Sequence, residues 1–324
     1  MTQERVLGYV PNADSPWETN RFRDSAIAWD EFDRPPITAY SDFKAYLKKH
    51  ENEIQELSRK FCYWPHVIAN KMRIPMWNPH QHNLPICTAA GTKSAIASKM
   101  LIQKAKNAEL KYEEINPYHT YIFSKAGVVR GGQSLSGIAN AFNDYGAFSN
   151  SDVGEYNPDM NPMDAYDISE DVREKAKKRQ VGWSEIETSD PVEELIFLSK
   201  NHVPVIIGSY ALIGSSKVDS NGVRDGVIDG RGAHCTAALG AYRRKNGMDY
   251  ILYAQSWGDT FSGGDDALLP GFMTWLSRKT LEKFVKKSTS FLDLFAVTYV
   301  EGLTENQSFD IPIIDYPEGM TYEK

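Results

Sequence analysis

The sequence is poor in cysteine: three among 324 residues, Cys62, Cys87 and Cys235. An odd number at wide spacing excludes a disulfide framework and a paired-cysteine zinc ribbon, and leaves at least one thiol spare. There is no basic excess. Lys and Arg total 36 against 43 Asp and Glu, a net charge of -7, which argues against a general nucleic-acid binder. No apolar run reaches the ~18–20 residues of a membrane-spanning helix. The first residues, MTQERVLGYVPNADSPWE, lack the apolar stretch of a secretory signal. A cytoplasmic or particle-associated protein is therefore expected, without membrane or nucleic-acid partners. No internal repeat or low-complexity tract is visible.

What is present is globular: 41% hydrophobic, 24% charged and 12% aromatic residues. The first 40 residues show no periodicity and read as an irregular arm. Ser41 then opens a helix signal to about Arg59, with Phe43, Tyr46, Leu47, Ile54 and Leu57 at helical spacing. Residues 64–86 carry four prolines and read as extended chain. A long helix beginning at Cys87 follows, dense in small residues, which let another element approach closely. A second helix starts at 135 and ends at Gly146, and a short one runs from Pro191 to Ser199. From 203 onward the pattern turns to strands, interrupted by a Gly/Asp/Ser loop at 214–232 and one helix near Arg278–Lys287. Asn246-Gly247 supplies a turn between two strands. Helices first and strands last predict an α+β fold in two lobes rather than a doubly wound sheet. The expected division is an N-terminal extension over 1–75, either propeptide-like or an integral arm, and a domain over 76–324 with a helical lobe over about 76–200 and a strand lobe over about 201–310.

Four positions could carry chemistry. Cys87 opens a helix, where the helix dipole favours a thiolate and exposed N–H groups can hold an oxyanion; a small buried apolar residue is the plainer reading of a lone cysteine. Gln81, six residues earlier on extended chain, offers an amide donor to the same oxyanion. His234 begins a strand-like run and could serve as general acid–base. Gln255 precedes Ser256-Trp257-Gly258 and offers a carbonyl acceptor to orient an imidazole, with Trp257 shielding that bond from water. His80, His82 and His119 lack a completing carboxylate or thiol for a metal site. Gly263-Gly264-Asp265-Asp266 reads as a turn without calcium-loop spacing, and Gly131-Gly132 lacks the residues of a phosphate loop.

Taken in order, these segments resemble papain-like cysteine peptidases of bacterial or viral type. Gln81-His-Asn-Leu-Pro-Ile-Cys87-Thr-Ala is similar to the family's nucleophile segment, with its oxyanion Gln six residues before the Cys. Gly232-Ala-His234-Cys-Thr-Ala-Ala-Leu-Gly-Ala-Tyr resembles the histidine strand, and Tyr250-Ile-Leu-Tyr-Ala-Gln255-Ser-Trp-Gly258 resembles the Asn-Ser-Trp-Gly segment. The likeness covers roughly 75–300. It implies a cleft between two lobes with Cys87 as nucleophile, His234 as acid–base, Gln255 as its orienting group and Gln81 in the oxyanion site. The substrate would be a peptide or protein, or a peptidoglycan peptide or isopeptide, with no cofactor and no metal. The departures are Gln where the family has Asn, Pro85-Ile86 where it has Gly-Ser, and no disulfides. A register one turn later would put Ala90 at the nucleophile position, and only the Cys87 register places Gln81 six residues upstream. The departures, with the long N-terminal segment, keep a second expectation open: an inactive structural or binding protein of the same fold, for example in a virus or phage particle.

Overall fold

The computed structural model describes residues 39–60, 62–82, 84–106, 112–125, 132–155, 157, 167–220, 222–243, 247–261, 268–288 and 291–300. The arm expected over the first 40 residues lies almost wholly outside these, as do the Gly263–Asp266 turn, Gly131 and Asn246.

The first helices are α1 (Tyr40–Lys60), α2 (Pro65–Met72), α3 (Cys87–Lys106), α4 (Pro117–Ser124), α5 (Leu135–Tyr145) and α6 (Asn150–Val153). After α7 (Glu170–Lys177) come β1 (Val181–Glu185), α8 (Pro191–Lys200), β2 (Val205–Val218), β3 (Arg224–Arg243), β4 (Asp249–Ala254), β5 (Met273–Ser277), α9 (Arg278–Ser288) and β6 (Leu292–Val300). Local chemistry accounts for several ends. Ser134 caps α5 by accepting from Gly137 N–H at 3.0 Å, and Gly146 ends it with φ 77°. Asp190 caps α8 by accepting from Glu193 N–H, with Pro191 in the first turn.

The six strands lie in the order β1-β6-β2-β3-β4-β5, with antiparallel neighbours, and a parallel bridge Asp225–Trp275 curls β5 back over β3. Period-two alternation divides the core between the faces of this sheet. Ile206, Cys235, Ala237, Tyr250, Leu252, Trp275, Phe295 and Val297 face one core with α3, α4 and α5. Val205, Ile207, Ala238, Ile251, Tyr253, Leu276, Leu294 and Ala296 face a second core with α1, α8 and α9. The α+β arrangement expected from the element order is the one found, with α2–α5 packed on one face of the antiparallel sheet and α1, α8 and α9 on the other.

Two local expectations are corrected. The chain expected to be extended after residue 64 first forms α2, because Pro65 occupies the first helical turn, where its missing N–H needs no partner. The composition expected to make a loop at 214–232 instead forms a long hairpin. Pairing runs from Val205–Ala238 to Val218–Arg224, and Asp219 closes the turn by accepting from Val223 N–H at 3.0 Å. At Gly226 the sheet folds over itself closely enough that an added Cβ would lie 2.5 Å from Leu276 Cδ2. The short helix expected from Pro191 is found as α8, which packs on the second core, and before it β1 pairs with β6.

The described part of the N-terminal extension is built into the fold. Phe43 and Leu47 of α1 are buried in the second core. Trp64, buried before α2, meets Trp275 edge-on at 5.0 Å and donates to Ala241 O at 3.1 Å. Among the described residues no helix is long and apolar enough to cross a membrane.

Candidate active site

Helix α3 is the central element. Its first turns carry Thr88, Ala89, Ala90, Gly91, Ser94, Ala95 and Ser98, all buried. Their small side chains let the helix lie directly on β3. At Gly91 an added Cβ would sit 2.8 Å from Cys235 Sγ and 3.1 Å from Thr236 O. One helical turn before that contact is Cys87, the first residue of the helix, and one residue before it on the strand is His234. The first N–H groups of a helix have no acceptor within the helix, so Cys87 begins where donors and the positive end of the dipole converge.

The chain leading into α3 is docked. Trp77 is buried and donates from Nε1 to Ser94 Oγ at 3.0 Å. Thr88 Oγ1 donates to Gln133 O at 2.8 Å. Gln81 is fully buried and tied twice to the segment after β4: its N–H donates to Ser256 O at 2.9 Å, and its Oε1 accepts from Ser256 Oγ at 2.6 Å. Its Nε2 donates to Leu84 O at 3.0 Å.

His234, buried in β3 opposite Ser209, lies against the same segment. Trp257 stacks on its ring, with centroids 4.1 Å apart and planes 12° apart. Ser256 Oγ is 3.3 Å from His234 Nε2. The group in contact with that ring nitrogen is thus Ser256, where the sequence suggested Gln255. The Gln255 amide is occupied inside its own loop: Nε2 donates to Gly258 O at 2.6 Å and to Thr260 Oγ1 at 2.9 Å, and Oε1 accepts from Trp257 N–H. The extra methylene of Gln over Asn lets the amide reach forward along the turn. Ser256 stood in the sequence only as part of the Gln-Ser-Trp segment; the longer arm at 255 was the one signal that a neighbour would contact the imidazole.

The three thiols separate by position. Cys62 is buried in the core shared with α3. Cys235 is buried with its sulfur on the α3 side; burial pushes its pKa up, and the nearby Cys87 and Asp293 add to the rise. Burial also raises the Tyr121 pKa, again with a contribution from Cys87. Cys87 therefore lies near both.

Among the described residues no group of three His, Cys, Asp or Glu could hold a metal ion. His80 stacks on His82 at 4.2 Å and packs on Gly258, where a Cβ would meet its ring at 2.6 Å. Burial lowers the His80 pKa, His82 lowers it further, and Asp259 opposes both. His119 is buried in α4 beside Phe148, and burial brings its pKa to about 4.

No protein-family model matches the chain, and no curated protein matches it. Among solved structures the fold is similar to xylellain, a cysteine protease from Xylella fastidiosa, at 14% identity over 70% of this chain and 84% of that one, with a TM-score of 0.47. It is also similar to digestive procathepsin L 3 of Tenebrio molitor larval midgut, at 14% identity over 67% of this chain and 65% of that one, TM-score 0.40. Bromelain from Ananas comosus, in complex with the E64 inhibitor, is similar at 14% identity over 69% and 94%, TM-score 0.43.

Proposed function

We propose that the chain is a papain-like cysteine peptidase or amidase that hydrolyses peptide or isopeptide bonds through Cys87 and His234. One observation carries this reading. The turn of α3 that follows Cys87 packs on β3 at Cys235 and Thr236, the residues after His234, while His234 and Gln81 meet at one hydroxyl, that of Ser256. A nucleophile candidate, an acid–base candidate and an amide donor thus converge from three separate parts of the chain.

The mechanism follows from their chemistry. The Cys87 thiolate attacks the carbonyl carbon of the scissile amide, and the carbonyl π pair moves to oxygen. The resulting oxyanion is held by the Cys87 backbone N–H and the Gln81 amide. The imidazolium of His234 gives its proton to the leaving amine as the C–N bond breaks, leaving an acyl-thioester on Cys87. Water, giving a proton to His234, then releases the acid. Trp257 covers one face of the imidazole and keeps bulk water from it.

The test is labelling of the full chain with a thiol-directed epoxide or iodoacetamide. Labelling confined to Cys87, and abolished by Cys87→Ala, supports the reading. Equal labelling of Cys62 or Cys235 in that variant, or a Cys87 with the pH dependence of a bulk thiol near ~8.5, overturns it. A second reading, an inactive binding protein of the same fold, is favoured by the complete burial of Cys87 and is the one left standing by that failure.

A further inference from the structure

The hydrogen bonds around Ser256 fix more than its position. Leu84 O can only accept, so the amide nitrogen of Gln81 is the atom that faces it, 3.0 Å away, and the amide oxygen is the atom that faces Ser256. Two oxygens 2.6 Å apart need a proton between them, and Gln81 Oε1 has none to give. The single hydrogen of the Ser256 hydroxyl therefore points at Gln81. Toward His234, 3.3 Å away, the same hydroxyl has only a lone pair to offer. The partner it accepts from must be an N–H, so His234 carries hydrogen on Nε2, and the proton that comes and goes resides on Nδ1.

We infer that Ser256 is the positioning residue of the site: its one hydroxyl fixes the tautomer of His234 and, at the same time, the orientation of the Gln81 amide. Acid–base group and oxyanion donor are set by a single atom, and Gln255 acts one step back by shaping the turn that presents it. The turn is held from within by Gln255 bonds to Gly258 O, Thr260 Oγ1 and Trp257 N–H, and from without by Gln81 N–H on Ser256 O. This inference rests on the proposed cysteine-peptidase reading for its catalytic meaning. The hydrogen-bond polarity stands on the geometry alone.

Two readouts test it on the full chain. The first is the nitrogen NMR signature of the His234 ring, assigned by its loss in His234→Gln. Wild type is expected to show hydrogen on Nε2 throughout the neutral range. Ser256→Ala, smaller and well suited to the buried site, is expected to mix the tautomers, and Ser256→Thr, which keeps the hydroxyl, to restore Nε2–H. The second is the rate of Cys87 alkylation by iodoacetamide against pH. Loss of a hydrogen bond to an ionised imidazole is expected to narrow the reactive window and lower the rate at its centre at least about tenfold in Ser256→Ala. Ser256→Thr is expected to recover most of it.

A Ser256→Ala protein that folds with the wild-type tautomer and the wild-type profile overturns the inference. So does a Gln255→Leu protein that loses Nε2–H while Ser256→Ala keeps it. A wild-type Cys87 with bulk-thiol reactivity, together with a tautomer that still depends on Ser256, sinks the peptidase reading and leaves the positioning role intact. Each failure is thus read separately.

Discussion

Trp257 lies face to face with His234, ring centroids 4.1 Å apart and planes 12° from parallel. An aromatic face favours the cationic form of an imidazole against it, by about 0.5–2 kcal/mol where water is excluded. Removing the indole therefore weakens imidazolium more than neutral imidazole. Trp257→Ala is expected to lower the upper pH limit of Cys87 alkylation and reduce the maximal rate by about tenfold, with Trp257→Phe intermediate. A Trp257→Ala protein with an unchanged profile, folded by circular dichroism, would show that the stack does not tune the site.

The contact between α3 and β3 at Gly91 lies one helical turn after Cys87 and one residue along the strand from His234. A methyl group there meets Cys235 Sγ at 2.8 Å and the Thr236 backbone at 3.1–3.2 Å, so either the helix or the strand with Cys235 must give way. Gly91→Ala is expected to destabilise by roughly 1–3 kcal/mol in urea unfolding and to slow Cys87 alkylation. Because one of the crowding atoms belongs to Cys235, the pair Gly91→Ala and Cys235→Ala should be non-additive, with the double variant recovering part of the loss. Strict additivity would mean that the backbone of Thr236 alone sets the spacing.

Those two relationships mark how far the sequence could be read. Small residues after Cys87 announced a helix that something packs on closely, and β-branched and aromatic residues in 203–209 and 248–258 announced strands. The helix and strand order was legible for the same reason: periodicity is local. The hairpin through 214–232 was not, because its Gly and Asp residues serve a sheet that folds over itself, a contact between β3 and β5 with no local trace. At the site, Gln81, Cys87 and His234 were legible as residue types in a family-like order. The contact of Ser256 with His234 was not, since it depends on which way the Gln255 arm turns, and that is decided by Gly258 and Thr260.

His119 offers a stability measurement independent of the site. Burial holds its folded pKa at about 4, below the ~6.5 of an unfolded chain. Between those values the unfolded chain binds the proton and the folded one does not, so folding stability is full above ~6.5 and falls as the pH drops toward 4. The loss approaches about 3 kcal/mol at the lower end. His119→Leu is expected to flatten that part of the curve in urea titrations at a series of pH values. A wild-type protein equally stable at pH 4.5 and 7 would contradict the burial of a neutral ring.

Asp249 governs the next window down. Its carboxylate is almost wholly buried and is bonded by Arg243 through Nε at 2.8 Å, Lys200 at 2.8 Å and Arg278 at 3.2 Å. Burial alone would raise its pKa, but the bonds to the three cations outweigh burial and hold it well below the usual carboxylate range. A lowered folded pKa gives stability that is present above the unfolded value near ~3.9 and is lost as the pH falls below it. Asp249→Asn leaves Lys200, Arg243 and Arg278 facing one another without the charge that gathers them. Asp249 is buried, but Arg243 and Arg278 are each 34% exposed and can be solvated once it is gone, so the cost is expected at about 1–3 kcal/mol, below that of a fully buried pair. The variant is expected to unfold at distinctly lower urea at pH 7 and to lose the acid step below pH 4, while the step between 6.5 and 4 persists. If instead the acid step below pH 4 survives in Asp249→Asn, other carboxylates carry it, and the cluster joining α8, β3, β4 and α9 is not what ties the back of the sheet together.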